Sequence, residues 1–293
     1  MADFKAGFVA VIGKPNVGKS TLINSLVGEK VTITSPKPQT TRQKILGILN
    51  HEDYQVVFVD TPGVQNSSTA LGTYLRRNST IASGEADIIV IVLDAGSVNS
   101  TDYKLIEKYE KSNVPVFVVI NKTDKVKPDK VFPILSKLNE YTFINKFFSL
   151  SALTQKNVNF LLEDILKLLP AGEPFFDREL YTDKSMKFMA SEIIREKALL
   201  FLQDEVPHGI FVAINLYEEK KTLDHIQADI IVNNPNHKQI VIGENGSMLK
   251  KIGTSARTEL EKILDKKVLL ELFVRVEKNW IESKSGVSAL DDM

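Results

Sequence analysis

The chain has no cysteine and only four histidines, His51, His208, His225 and His237. Disulfides, thiolate zinc sites and a thiol nucleophile are excluded together. No two histidines stand at the i, i+4 spacing that would put a pair of ligands on one helix face. Excess charge is also missing: 37 Lys and Arg balance 37 Asp and Glu, a formal net charge of zero. That excludes a histone-like polycation but not a local basic patch, because a partner feels local potential. No run of about 18 uncharged apolar residues exists, so no membrane-spanning helix is expected. The opening Met-Ala-Asp-Phe-Lys-Ala-Gly has no basic stretch leading into an apolar core, and it predicts no secretory signal. The expected location is the cytoplasm. Internal repeats and low-complexity segments are absent as well.

What remains is 293 residues, 43% hydrophobic and 25% charged, the mix of an ordinary globular chain of about two domains. Apolar runs at 8–12, 56–59, 88–93 and 116–120 are nearly free of polar residues, as suits strands buried on both faces of a parallel sheet. Amphipathic stretches at 20–27 and 160–169 carry leucines and isoleucines at helical spacing. Alternating strands and helices predict a doubly wound α/β domain, whose ligands sit at the carboxyl ends of the strands. At 169–174, Leu-Pro-Ala-Gly-Glu-Pro reads as a stop and a linker. A second, α+β unit follows: a helix over 186–203, strands over 209–216 and 226–232, a helix over 247–264 and a strand over 268–276. The predicted organisation is a first domain over 1–170, a linker over 171–182, a second domain over 183–282 and a polar tail over 283–293.

Gly13-Lys14-Pro15-Asn16-Val17-Gly18-Lys19-Ser20 fits G-x-x-x-x-G-K-[ST], after an apolar strand and opening a helix that continues into Thr21. In that context backbone N–H groups and a helix N-terminus cradle phosphate oxygens. Lys19 is expected at the β/γ-phosphates and the Ser20 hydroxyl on Mg²⁺. Asn121-Lys122-Thr123-Asp124 follows a strand. The Asp124 carboxylate can accept from guanine N1–H and the 2-amino group, whereas adenine would leave it unpaired. After the next strand-like run come Ser151 and Ala152. The Ala152 N–H can meet guanine O6, and the Lys122 stem can cover the base. Asp124 and the lack of a phospho-acceptor domain also argue against an ATP-dependent kinase.

Asp60-Thr61-Pro62-Gly63 ends another strand, with Asp60 placed for Mg²⁺ and the Gly63 N–H for the γ-phosphate. The loop Ser-Pro-Lys-Pro-Gln-Thr-Thr-Arg at 35–42 offers a threonine to Mg²⁺ when the γ-phosphate is present; Thr41 is favoured and Thr40 is the rival. Loss of that phosphate would release both loops. Lys19, Thr41 and Gly63 are therefore the expected catalytic groups. Asp94-Ala95-Gly96 reads as a loop beside the nucleotide.

In this order the segments resemble the translation-factor-related class of small GTPases. In Ras-like enzymes a glutamine after the D-x-x-G glycine orients water. Here that position is Val64 and Gln65 is one further on, so slow intrinsic hydrolysis is expected. Related GTPases with an asparagine at the position of Asn16 use K⁺. The resemblance implies a K⁺ site there; the alternative is that Asn16 only shapes the loop.

In the second unit, Ile242-Gly243-Glu244-Asn245-Gly246 precedes a helix carrying Lys250, Lys251 and Arg257. A G-x-x-G loop lets a sugar–phosphate backbone lie close while a groove reads single-stranded bases, and the basic residues can meet phosphates. Glu244 opposes them, so modest, salt-sensitive affinity is expected. Lys184, Lys187, Arg195 and Lys197 either extend this basic face or line a solvated helix side. The segment resembles a bacterial KH domain.

One such GTPase domain followed by one KH domain resembles the Era family of bacterial GTPases. The resemblance implies a GTP/GDP switch that binds 16S ribosomal RNA near its 3′ end, acts in small ribosomal subunit assembly and associates peripherally with the inner face of the cell membrane. A monomer is expected. The alternative is a GTP-regulated membrane or protein adaptor whose KH-like domain binds no RNA.

Overall fold

The computed structural model describes residues 4–37, 40–62, 86–278 and 280. The described residues fall into two compact units, the first made of 4–34, 41–62 and 86–183 and the second of 35–37, 40, 184–278 and 280.

The first unit is a six-stranded sheet in the order β2-β3-β1-β4-β5-β6. Its strands are β1 (Lys5–Ile12), β2 (Ile45–Asn50), β3 (Tyr54–Asp60), β4 (Ile88–Asp94), β5 (Val116–Asn121) and β6 (Lys146–Ser149). Period-2 alternation sorts each apolar run onto both faces. Val9, Val11, Val90, Val92, Phe117 and Val119 face helices α1 (Lys19–Val27) and α4 (Val158–Leu168). Ala10, Ile12, Ile89, Ile91, Val118 and Ile120 face α2 (Ser100–Glu107) and α3 (Pro128–Leu138). The expected doubly wound sheet is therefore present, with one addition: β2, which pairs antiparallel with β3. Sequence reading passed over β2 because Gly47 interrupts its apolar run. That glycine has a packing cause, since a Cβ there would lie 2.7 Å from Ile23 Cγ2 and 3.1 Å from Val31 Cγ2.

The stretch expected as a linker is laid along this unit. Ala6 N–H donates to the Pro170 carbonyl at 3.2 Å and Ile48 N–H to the Tyr181 carbonyl at 2.8 Å. Leu46 N–H donates to Asp183 Oδ1 at 2.9 Å. The buried Gln55 amide oxygen accepts from the backbone N–H groups of Phe175 and Phe176 at 2.7 and 3.0 Å. Segment 171–182 is thus part of the first unit's hydrogen-bonding.

The second unit runs α5 (Met186–Phe201), β7 (Phe211–Glu219), β8 (Leu223–Val232), α6 (Pro235–Ile242), α7 (Ser247–Leu264), β9 (Lys267–Val276). Its sheet has the order β7-β8-β9, antiparallel then parallel. Ile193, Ala198, Ile226, Ile230, Ile252 and Leu260 fill one core between sheet and helices. Helix α6 was not anticipated. Here Asn234 caps the helix by accepting from His237 N–H at 2.9 Å, and Pro235 takes the first helical position. Trp280 is buried in this unit, its Nε1–H donating to the Gly209 carbonyl at 3.0 Å.

Candidate functional site

Three loops at the carboxyl end of the parallel strands meet at Asn121. Its Nδ2 donates to the Val17 carbonyl at 2.9 Å. Its Oδ1 accepts from Lys122 N–H at 2.8 Å and from Ala152 N–H at 2.9 Å. The side chain is buried, so these bonds are made in low dielectric, where each counts for more. The phosphate loop, the Asn121–Asp124 segment and the Ser151–Ala152 turn are tied through one amide. The Ala152 N–H, expected at guanine O6, is engaged by Asn121 here.

Glycine at 18 is required by this arrangement. Gly18 has φ +97°, and a Cβ there would sit 2.3 Å from Asn121 Nδ2. Lys122 also takes a left-handed backbone, φ +63°. Its Nζ donates to Asp94 Oδ2 at 2.7 Å and to the Asn16 carbonyl. Asp94, read from sequence only as a neighbouring loop residue, is thus the carboxylate that holds Lys122 over the loop. Asp124 Oδ1 accepts from the Ser151 hydroxyl at 2.6 Å, which orients the carboxylate for a base edge.

Lys19 is buried and its Nζ donates to the carbonyls of Gly13 and Lys14 at 3.2 and 2.9 Å. Burial pushes this ammonium down to about 8, against the pull of Asp60. The group is desolvated and held by two carbonyls, so an anion entering the loop favours its charged form. Asp60 is buried too, and burial raises its pKa against the opposing effects of Lys19, Ser20, Thr32 and Thr41.

Asp60 Oδ2 gathers hydroxyls from three elements: Ser20 at 2.7 Å, Thr32 at 3.0 Å and Thr41 at 3.1 Å. Ser20 and Thr41 hydroxyls lie 3.0 Å apart. The other oxygen, Oδ1, is buried with no hydrogen-bond partner among the described residues. Carboxylate and hydroxyl oxygens around an unsatisfied acceptor suit a hard divalent cation such as Mg²⁺, bound by few protein ligands and completed by phosphates. Among the described residues no group of three or more His, Cys, Asp or Glu able to hold a metal occurs. Thr41 is the threonine brought into this cluster; the Thr40 hydroxyl donates instead to the Lys37 carbonyl at 2.7 Å. Thr32 belongs to no motif and was missed. Gly63, Val64 and Gln65 lie outside the described residues.

In the second unit Gly243 ends α6 and Gly246 begins α7, so the G-x-x-G loop joins two helices. Gly243 has φ +72°, and a Cβ would lie 2.9 Å from Met248 N. Glu244 and Asn245, between the two glycines, are exposed. Beside the loop a groove of about 350 Å³ is lined by Gly246, Leu249, Lys250, Gly253, Arg257 and Leu272, among others. Three leucines, Leu249, Leu270 and Leu272, and two cations, Lys250 and Arg257, are among its lining residues. Lys251 does not line it; its Nζ lies 4.3 Å from the centre of the Phe201 ring. The extended basic face on α5 is not formed as a run of free cations: Arg195 is buried in an ion pair with Glu192 at 2.6 Å, and Lys197 pairs with Glu196 at 2.8 Å and with Glu259.

Fold and site together define a phosphate-loop GTPase domain joined to a KH domain. The family model described as 50S ribosome-binding GTPase matches residues 8–122, and the KH domain model matches 205–281. GTPase Era of Clostridium kluyveri is 44% identical over 281 residues, covering 95% of this chain and 96% of the relative. GTPase Era of Ruminiclostridium cellulolyticum is 39% identical over 290 residues, covering 98% of this chain and 97% of the relative. A crystal structure of Era in complex with MgGDPNP and nucleotides 1506–1542 of 16S ribosomal RNA is similar at TM-score 0.93 and 39% identity, covering 97% of this chain and 98% of that one. An Aquifex aeolicus Era variant bound to GDP and AlF₄⁻ matches equally, at TM-score 0.93. The chain belongs to the GTPase Era family.

Proposed function

We propose that the chain is a GTP-driven switch whose KH domain binds 16S rRNA near its 3′ end and which acts in small ribosomal subunit assembly. The observation that carries the switch is the convergence of Ser20, Thr32 and Thr41 on one buried carboxylate, Asp60. These residues come from a helix start, two loop positions and a strand end. In this reading Ser20, Thr41 and Asp60 hold Mg²⁺, which offsets charge on the β- and γ-phosphates. Lys19 binds the same phosphates, with loop N–H groups from Gly13 to Thr21 around them. Asp124 accepts from the guanine edge, and the Lys122 stem covers the ring. Thr41 lies in the loop that the γ-phosphate orders, so phosphate loss frees it.

With Val64 in place of a water-orienting glutamine, slow hydrolysis without an activator is expected. The family resemblance implies a K⁺ site near the β/γ bridge at Asn16; the alternative is that Asn16, left-handed at φ +64°, only shapes the loop. Equal turnover in KCl and NaCl would reject that site.

RNA binding rests on the groove lined by three leucines, Lys250 and Arg257 beside the G-x-x-G turn. A filter-binding assay with a 3′ fragment of small-subunit rRNA tests it. Gly243→Asp with Gly246→Asp should abolish RNA retention and leave GTP binding intact. Retention by neither wild type nor variant would favour a GTP-regulated adaptor. A monomeric state, a cytoplasmic location and peripheral membrane association belong to the same family-based reading; light scattering and vesicle flotation test the first and last. Among the described residues no helix is long and apolar enough to cross a membrane.

A further inference from the structure

Asp102 sits at the third position of α2, 1% exposed, outside every nucleotide motif. Its Oδ2 accepts from the Lys14 ammonium at 2.6 Å and from Asn99 N–H at 2.9 Å. Its Oδ1 is buried with no partner among the described residues. The bond to Asn99 is half of a capping box, and Asn99 completes it by accepting from the helix's first N–H groups. A cap alone needs no cation. Lys14 is 21% exposed and within reach of water, whereas Asp102 is 1% exposed, so the choice of this partner by Lys14 calls for a separate reason.

Lys14 supplies one. Its side chain points out to Asp102, while its carbonyl points inward and accepts from Lys19 Nζ at 2.9 Å. The residue is a strut with one end on α2 and the other on the phosphate-binding lysine. We propose that Asp102 is a positioning residue for nucleotide binding: through Lys14 it fixes the loop carbonyl that aims Lys19 at the phosphates. Asp102 touches no nucleotide itself. The proposal rests on the reading of residues 13–20 as the phosphate loop and extends that site to a helix that carries none of its motifs.

The test is titration calorimetry of the full chain with GDP and Mg²⁺. Asp102→Asn keeps an acceptor for Asn99 N–H and removes the charge that holds Lys14. Lys14→Met removes the partner from an accessible loop position. Each should weaken GDP about tenfold, and the double variant should be no weaker than either single one, the signature of one shared interaction. Asn99→Ala, which damages the same helix cap without touching the ion pair, should stay within twofold of wild type. Three results overturn the proposal: Asp102→Asn within twofold of wild type, additive effects in the double variant, or Asn99→Ala as damaging as Asp102→Asn. Should Asp102→Asn fail to fold, Lys14→Met decides alone, and an unchanged affinity there rejects the strut. Absence of heat with the wild-type chain would instead reject the phosphate-loop reading.

Discussion

Asn121 Nδ2 and the carbonyl of Val17 are joined by a buried 2.9 Å hydrogen bond that spans 104 residues of sequence. Through it the end of β5 grips the middle of the phosphate loop. Asn121→Ala leaves the Val17 carbonyl and the Ala152 N–H without their partner. Unsatisfied buried groups cost about 1–3 kcal/mol each. The expected outcome is a loss of GDP affinity of about ten- to a hundredfold, measured by calorimetry, together with a lower Tm for the nucleotide-free protein.

Lys19 ties affinity to pH. Burial lowers its pKa to about 8 in the free protein, and a bound diphosphate raises it again. Below that value the ammonium is already charged and GDP binding takes up no proton from it. Above it, binding must also recapture one proton, so affinity should fall by up to about tenfold per pH unit. Titrations with GDP in a chelator, from pH 6.5 to 9.5, should show a flat region and then this decline. The stability of the nucleotide-free fold moves the other way. The burial penalty on Lys19 is full below about 8 and fades as pH rises toward the unfolded value of 10.5.

Arg257, which lines the KH groove, is expected to act on phosphates. Arg257→Ala should weaken rRNA-fragment binding across sequences and reduce the salt slope by about one. Filter binding at several KCl concentrations measures it, and an unchanged slope would remove Arg257 from the interface.

Trp280 separates the two units' roles. Its ring is 1% exposed against Phe211, with its N–H satisfied by Gly209. Trp280→Ala should cost about 3–5 kcal/mol and abolish RNA retention by unfolding the KH unit. GDP affinity should stay within twofold.

Much of this was readable in the sequence because the nucleotide site is built from contiguous motifs at strand ends. Gly18, Lys19 and Asn121 each announce their role by position. What escaped was held by tertiary contact. Thr32 reaches Asp60 from a segment with no periodicity. Asp94 and Asp102 act through lysines that the motifs already contained, so their pairing became visible only when the chain was folded. Strand β2 hid behind Gly47, whose missing side chain makes room for Ile23. Helix α6 hid behind a proline that starts a helix as readily as it ends one.

The chain leaving the first unit covers the rim of its own sheet. β2 is the outermost strand there, and residues 181–183 run beside it, occupying the N–H groups of Leu46 and Ile48. An unpaired rim of this kind is a template for association with another molecule's strand. A shortened GTPase fragment cut at residue 170 would strip that covering and invite clumping. One ending after Asp183 would carry its own guard.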